Sequence, residues 1–229
     1  MRIEVIVQNE QEAIQAEKLG AARLELVSAI DEGGLTPSFE IIKQVLNSVT
    51  IPVQVMIRPH SRDFFYSDLE MNTIIEDVKN VLSLGGHGIV FGALTKDYTI
   101  DETALEKVMA VSDQLDITFH RAFDEIDDQL SAYKLLTDYK KLVKRILTSG
   151  GHEDCLRGKH DLRKLVELSK EIEGPAILCG GGLTSTNIKE IHQTVEANEY
   201  HFGSGVRKDG SYSEGFDKRV VEQITALEG

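Results

Sequence analysis

The chain has 229 residues, 41% of them hydrophobic, and a net charge of −13. That size supports one large domain with a full core. The acidic surface repels phosphate backbones and anionic lipid, which argues against nucleic-acid and membrane partners.

Strand-like and helix-like segments alternate from the first residues on. Met1–Gln8 runs straight into a strand pattern, without a signal peptide. No apolar run approaches the roughly 18 residues of a membrane span, so a soluble, cytoplasmic protein is expected. The spacing predicts strands over Arg2–Val7, Ala22–Val27, Val53–Arg58, Gly88–Gly92, Ile117–Arg121, Val143–Ser149, Pro175–Cys179 and Glu199–Gly203. Between them lie stripes at helical spacing, such as Ile74, Val78, Val81 and Leu82, or Leu162, Leu165, Val166 and Leu168. Ser67 with Glu70 makes a capping box, and Thr36 before Pro37 reads as a further N-cap. Asp101 and Thr184 are N-caps for the fourth and seventh helices, while Gly20 and Gly85 mark helix ends. Eight strand–helix units without a linker predict a single (β/α)8 TIM barrel, an α/β domain over residues 1–229. An open doubly wound sheet is the structural alternative, but the first turn, Val7–Gln11, lacks the glycines that fold normally carries there.

Side chains alternate along a strand, so each outward apolar set defines an inward one. Ile3, Val5 and Val7 outward leave Glu4 and Ile6 inside; Ala22, Leu24 and Leu26 leave Arg23, Glu25 and Val27. Val53, Val55 and Ile57 leave Gln54, Met56 and Arg58, and Ile117 with Phe119 leaves Thr118 and His120. His201 shares a face with Glu199, opposite Phe202. The sixth strand is ambiguous, since neither the face of Arg145 nor that of Ile146 is clean. Glu25, Arg58 and His120 are therefore expected at the C-terminal mouth, with Glu4 just below. Two readings fit that set. One is a carboxylate and an imidazole exchanging protons beside an anion-holding Arg; the other is an ion-pair network satisfied within the barrel.

Gly180, Gly181 and Gly182 follow the seventh strand, and Gly203, Ser204 and Gly205 follow the eighth. Those loops are the usual phosphate site of this barrel, so an anion is expected there; tight turns alone would also explain the glycines. His152-Glu-Asp-Cys155 reads as a solvated helix start, because neighbours in one loop cannot all reach one ion, and no metal site is assigned. Cys155 and Cys179 form neither a CxxC pair nor a disulfide framework and are expected as reduced thiols, Cys179 as a small core residue.

Several stretches then read together: Glu32-Gly-Gly-Leu-Thr-Pro-Ser38, Val55-Met-Ile-Arg-Pro59, Asp63-Phe-Phe-Tyr-Ser-Asp68, Gly88-Ile-Val-Phe-Gly92, Thr118-Phe-His-Arg-Ala-Phe-Asp124, Leu147-Thr-Ser-Gly150 and Gly180–Gly182. In order, over nearly the whole chain, they resemble the CutC family of copper homeostasis proteins. The resemblance implies a cytoplasmic (β/α)8 barrel, a link to copper tolerance, and Cu(I) as a possible ligand. It also implies cysteines in the first and second strands, where this chain has Ile6 and Val27. Soft thiolates select Cu(I), and aliphatic side chains do not replace them. The polar set Glu25, Arg58, His120, Arg121 and Asp124 does match. Three functions are therefore in view. The first is a CutC-type copper homeostasis protein. The second is an enzyme that binds a small anionic or phosphorylated molecule at the late glycines, clamps a second acidic group with Arg58 and moves protons with Glu25 and His120, with Asp124 also a catalytic candidate. The third is a non-catalytic scaffold. A homo-oligomer, a dimer, is expected by analogy with other barrels.

Overall fold

The structure, a computed structural model, describes residues 1–226. Eight strands form one closed, all-parallel barrel in sequence order: β1 Arg2–Val7, β2 Arg23–Leu26, β3 Val53–Met56, β4 Gly88–Phe91, β5 Asp116–Phe119, β6 Val143–Thr148, β7 Ala176–Gly180 and β8 Glu199–Phe202. β1 pairs with both β2 and β8, which closes the ring. The helices are α1 Glu10–Lys18, α2 Phe39–Ser48, α3 Asp68–Ser83, α4 Glu102–Met109, α5 Gln129–Asp138, α6 Lys159–Glu171, α7 Ile188–Val195 and α8 Lys218–Thr225. The predicted (β/α)8 barrel is thus the fold, and the open sheet is excluded.

The alternation of side chains gives two distinct interiors. Outward residues such as Val5, Leu24, Val55, Ile89 and Phe119 pack under the helices as the main core. A separate small apolar cluster of Ile6, Val27, Met56 and Val90 lies inside the barrel near its mouth. Below it the inside is polar and buried: Glu4, Arg23, Glu25, Gln54, Thr118, Arg145, Glu199 and His201.

The sixth strand looked unclean because its register slips. Ile117 pairs with Val143, but the next residue, Thr118, pairs with Arg145, so Lys144 is the extra residue of a bulge and is exposed. Beyond the bulge Arg145 points inward, donating to Asp116 at 2.6 and 3.0 Å and to Thr118 at 3.1 Å.

The capping box of Ser67 and Glu70 and the cap of Asp101 form as expected. Two other caps do not. Helix α2 is capped by Ser38, and Thr36 instead accepts the backbone N–H of Arg58 at 2.9 Å. Helix α7 starts after Asn187, three residues beyond Thr184, because the Asn187 side chain ties the loop together by accepting from Thr184 and donating to the Gly182 carbonyl. Nor does His152–Cys155 begin a helix. Helix α6 starts at Lys159, and Cys155 is fully buried, its N–H donated to the Gly181 carbonyl.

Candidate active site at the barrel mouth

One cavity of about 370 Å³ opens at the C-terminal end of the strands. Glu25, Arg58, His120, Arg121, Gly181, Gly182, Gly203, Ser204 and Gly205 all line it, between apolar walls of Ile6, Met56, Phe64 and Leu147.

Its floor is a charged chain across β1, β2 and β8. Glu4 receives the Arg23 Nε–H and, at 2.8 Å, the Nδ1 of His201; the Nε2 of His201 lies 3.6 Å from Glu25. Arg23 also donates to Glu199 at 2.6 Å. Burial alone would raise the Glu4 carboxyl, but Arg23 and then His201 outweigh it and hold Glu4 down at about 2. Burial likewise opposes charge on His201, yet Glu25 and Glu4 together raise its pKa. Glu25 is different. Burial dominates, and with the Glu4 charge it lifts the carboxyl to about 7 against the pull of His201. Its Oε1 is buried and has no hydrogen-bond partner among the described residues. A carboxyl near neutral pKa, backed by an imidazolium and facing a cavity, is poised to accept and return a proton.

His120 and Arg58 form the opposite wall. The His120 Nδ1 accepts the Ala122 N–H at 3.2 Å, so the neutral ring carries its proton on Nε2, which is buried and unpartnered among the described residues. Burial, then the Arg58 charge, pushes this imidazole down to about 3. Both effects favour the neutral His120 ring, which offers a hydrogen-bond donor at Nε2. Its ring packs against Gly92, where an added Cβ would lie 2.7 Å from Nδ1. Arg58 has no carboxylate within ion-pair distance among the described residues. Its Nη1 and Nη2 rest on the carbonyls of Glu32 and Ser61 at 3.4 and 3.3 Å, its Cζ lies 4.7 Å over the Phe64 ring, and its Nε is buried without a partner.

Asp124 lies outside this cavity. It accepts from Thr148, from Ser149 N and Gly151 N at 3.1 Å, and from Arg121 Nε at 2.7 Å. It thus folds the loop after β6 and aims Arg121, whose Nη2 also donates to Ser149 at 2.8 Å. The late glycines divide in the same way. Gly180 is a packing position, since a Cβ there would strike Leu147 and His201. A Cβ on Gly205 would lie 1.9 Å from the Leu183 carbonyl, which lets those two loops touch. Gly181 and Gly182 take positive φ values of 127° and 67°, a backbone conformation that L side chains rarely adopt. With Gly203 they line the cavity, and none of the three N–H groups has an acceptor among the described residues. Arg121 stands beside Gly181, its Cζ 3.4 Å from where a Cβ would be.

Two participants were not assigned from the sequence. His201 was placed on the inner face, but its pairing with Glu25 needs the barrel to close β8 onto β1 and β2. Tyr212 sits in the loop before α8 and lines the mouth, its hydroxyl against Gly203. Nothing in the local sequence marks it.

Glu4, Glu25 and His201 also offer oxygen and nitrogen atoms within 4.8 Å of one another, the spacing of metal ligands. Both His201 nitrogens already face carboxylates, at 2.8 and 3.6 Å, and these raise its pKa, so a metal ion there would compete with a proton on the ring. Cu(I) fits the chain less well. Cys179 and Cys155 are fully buried in the outer core, and burial pushes both thiols up, Cys155 to about 12. Met56 provides the single sulfur lining the mouth among the described residues.

Residues 1–206 match the family model described as the CutC family. A copper homeostasis protein cutC homolog of Homo sapiens is 39% identical over 207 residues, covering 90% of this chain and 74% of that protein. A CutC family protein of Salmonella typhimurium is 40% identical over 194 residues, 85% of this chain and 76% of that one. The crystal structure of a CutC protein from Streptococcus agalactiae superposes with a TM-score of 0.81 at 31% identity, over 89% of this chain and 98% of that chain. A phosphoribosyl anthranilate isomerase from Thermococcus kodakaraensis shares the fold, with a TM-score of 0.64 at 18% identity over 100% and 99% of the two chains.

Proposed function

The chain belongs to the CutC family of copper homeostasis proteins, and we propose that it serves copper homeostasis by binding a small anionic molecule at the barrel mouth and moving a proton on it. The observation that carries this reading is Glu25. Its carboxyl is raised to about 7, its Oε1 has no partner among the described residues, and His201 lies 3.6 Å behind it. A purely structural ion-pair network would satisfy that oxygen.

In the proposed reaction the ionised Glu25 takes a proton from the bound molecule. The positive His201, held by Glu4, stabilises the carboxylate while it is ionised. Glu25 then returns the proton at a neighbouring atom of the same molecule. Bonds and protons balance, so the reaction class is isomerisation or enolisation. Direct sulfur coordination of Cu(I) is the weaker reading, because Ile6 and Val27 stand where the resemblance implies cysteines. The same proposal places the protein in the cytoplasm as a homodimer, which cell fractionation and sedimentation would test.

The direct test is solvent exchange. Purified protein is incubated in D2O with chromatographic fractions of anionic small molecules, and mass spectrometry reads incorporated deuterium. At least one compound should gain deuterium with the wild type and not with Glu25→Gln. Identical exchange with the two proteins in every fraction would refute the reading.

A further inference from the structure

Resting on that reading, we infer that the ligand is a two-headed acid: a carboxylate held by Arg58 and His120, and a second anionic group, tetrahedral in shape, held by the late glycine loops and Arg121. The Arg58 Nε and the His120 Nε2 are both shielded from solvent and unpartnered among the described residues. A buried donor left unpaired is costly, and a charged one more so, so such atoms mark a place where an acceptor belongs. The two carbonyls on Nη1 and Nη2 and the Phe64 ring fix the plane of the guanidinium, leaving its Nε edge as a fork. A planar carboxylate matches that fork with two parallel hydrogen bonds. His120, locked as an Nε2–H donor by the Ala122 N–H, lines the same cavity.

The second head follows from topology. In a closed eight-stranded ring in sequence order, β3 lies diametrically opposite β7. Arg58 follows β3, and Gly181 and Gly182 follow β7, so the two donor sets stand on opposite walls of one cavity. A single carboxylate or phosphate is too small to engage both. Three unpaired backbone N–H groups with Arg121 suit a tetrahedral anion, which accepts from several directions. Ile6, Met56 and Leu147 between the heads call for an apolar or aromatic frame. Glu25 lies on β2, next to β3 in the ring, at the floor of the cavity on the side of the carboxylate head.

The test uses probes that differ only in the carboxylate. Phenylphosphonate is compared by calorimetry with 2-, 3- and 4-phosphonobenzoate, and with inorganic phosphate. At least one phosphonobenzoate should bind wild type 10-fold or more tightly than phenylphosphonate does. That gain should vanish in Arg58→Met and shrink in Arg58→Lys, which keeps the charge and loses the fork; circular dichroism checks that both variants are folded. If either variant does not fold, His120→Gln takes its place and should reduce the gain at least 3-fold. Equal affinity for phenylphosphonate and all three isomers, with deuterium exchange at Glu25 intact, would overturn the two-headed ligand while leaving the proposed function standing. A carboxylate gain that survives in every folded variant would also overturn it. If neither phosphate nor any phosphonate binds, the anion-binding reading fails and the inference goes with it.

Discussion

Replacing His120 with Gln should change how stability depends on pH, in a direction set by its burial. The imidazole ordinarily titrates near 6.5 and is pushed down to about 3 in the folded chain. Between those values the unfolded chain binds a proton that the folded chain refuses. The stability this represents is fully present above pH 6.5 and is lost as pH falls toward 3. Each pH unit in that window is worth about 1.4 kcal/mol, hence about 2 kcal/mol between pH 6.5 and 5. Glu25 has the opposite sign. Raised from 4.5 to about 7, it binds a proton more readily when folded, so its contribution is present below 4.5 and lost as pH rises through 7. His201 is raised above 6.5, so its own loss lies at higher pH. Urea unfolding at several pH values from 5 to 6.5 reads these slopes. Any packing cost of His120→Gln is nearly independent of pH and drops out when the variant is compared with the wild type across the series. The penalty of His120→Gln should grow by about 2 kcal/mol from pH 5 to 6.5, whereas that of Glu25→Gln should shrink over the same range. A His120→Gln series parallel to the wild type would refute the claim that this ring is held neutral.

Gly92→Ala would drive a Cβ to 2.7 Å from the His120 ring and should cost roughly 1–3 kcal/mol in thermal or urea unfolding, with weaker binding of any mouth ligand. Asp124→Asn keeps its shape but loses the charge that receives Arg121 and the loop N–H groups, so stability should fall by about 2 kcal/mol and anion affinity at the late glycines should drop. Arg207→Met strands Glu12, which the buried guanidinium meets at 2.6 and 3.1 Å, and removes the cation from the Tyr212 and Phe216 rings, whose centroids lie 4.9 and 4.6 Å from its Cζ. A loss of about 3–5 kcal/mol is expected, read as a lowered melting temperature. For copper, a competing chelator should find wild-type Cu(I) affinity no tighter than that of a Cys155→Ser, Cys179→Ser protein. Ile6→Cys with Val27→Cys should raise it, since both side chains lie in one cluster inside the mouth.

Local pattern determined much of this protein. Apolar alternation in eight short runs, and helical stripes between them, specify the barrel because each strand must bury one face under helices and the other within the ring. The same alternation put Glu25, Arg58 and His120 inside, and all three line one cavity. What it left open has a common cause: the missing facts were relations between strands distant in sequence. The bulge at Lys144 exists only in the pairing of β6 with β5, so Arg145 had no readable face alone. His201 became the partner of Glu25 only when β8 closed onto β1. Asp124, adjacent in sequence to the site, turned to the loop after β6 and became a brace for Arg121. His120 kept its place, and burial with the nearby Arg58 charge favours its neutral form. Sequence periodicity reports which way a side chain points. Its charge state and its partners depend on desolvation and on neighbours brought in from other strands, and those only the closed barrel decides.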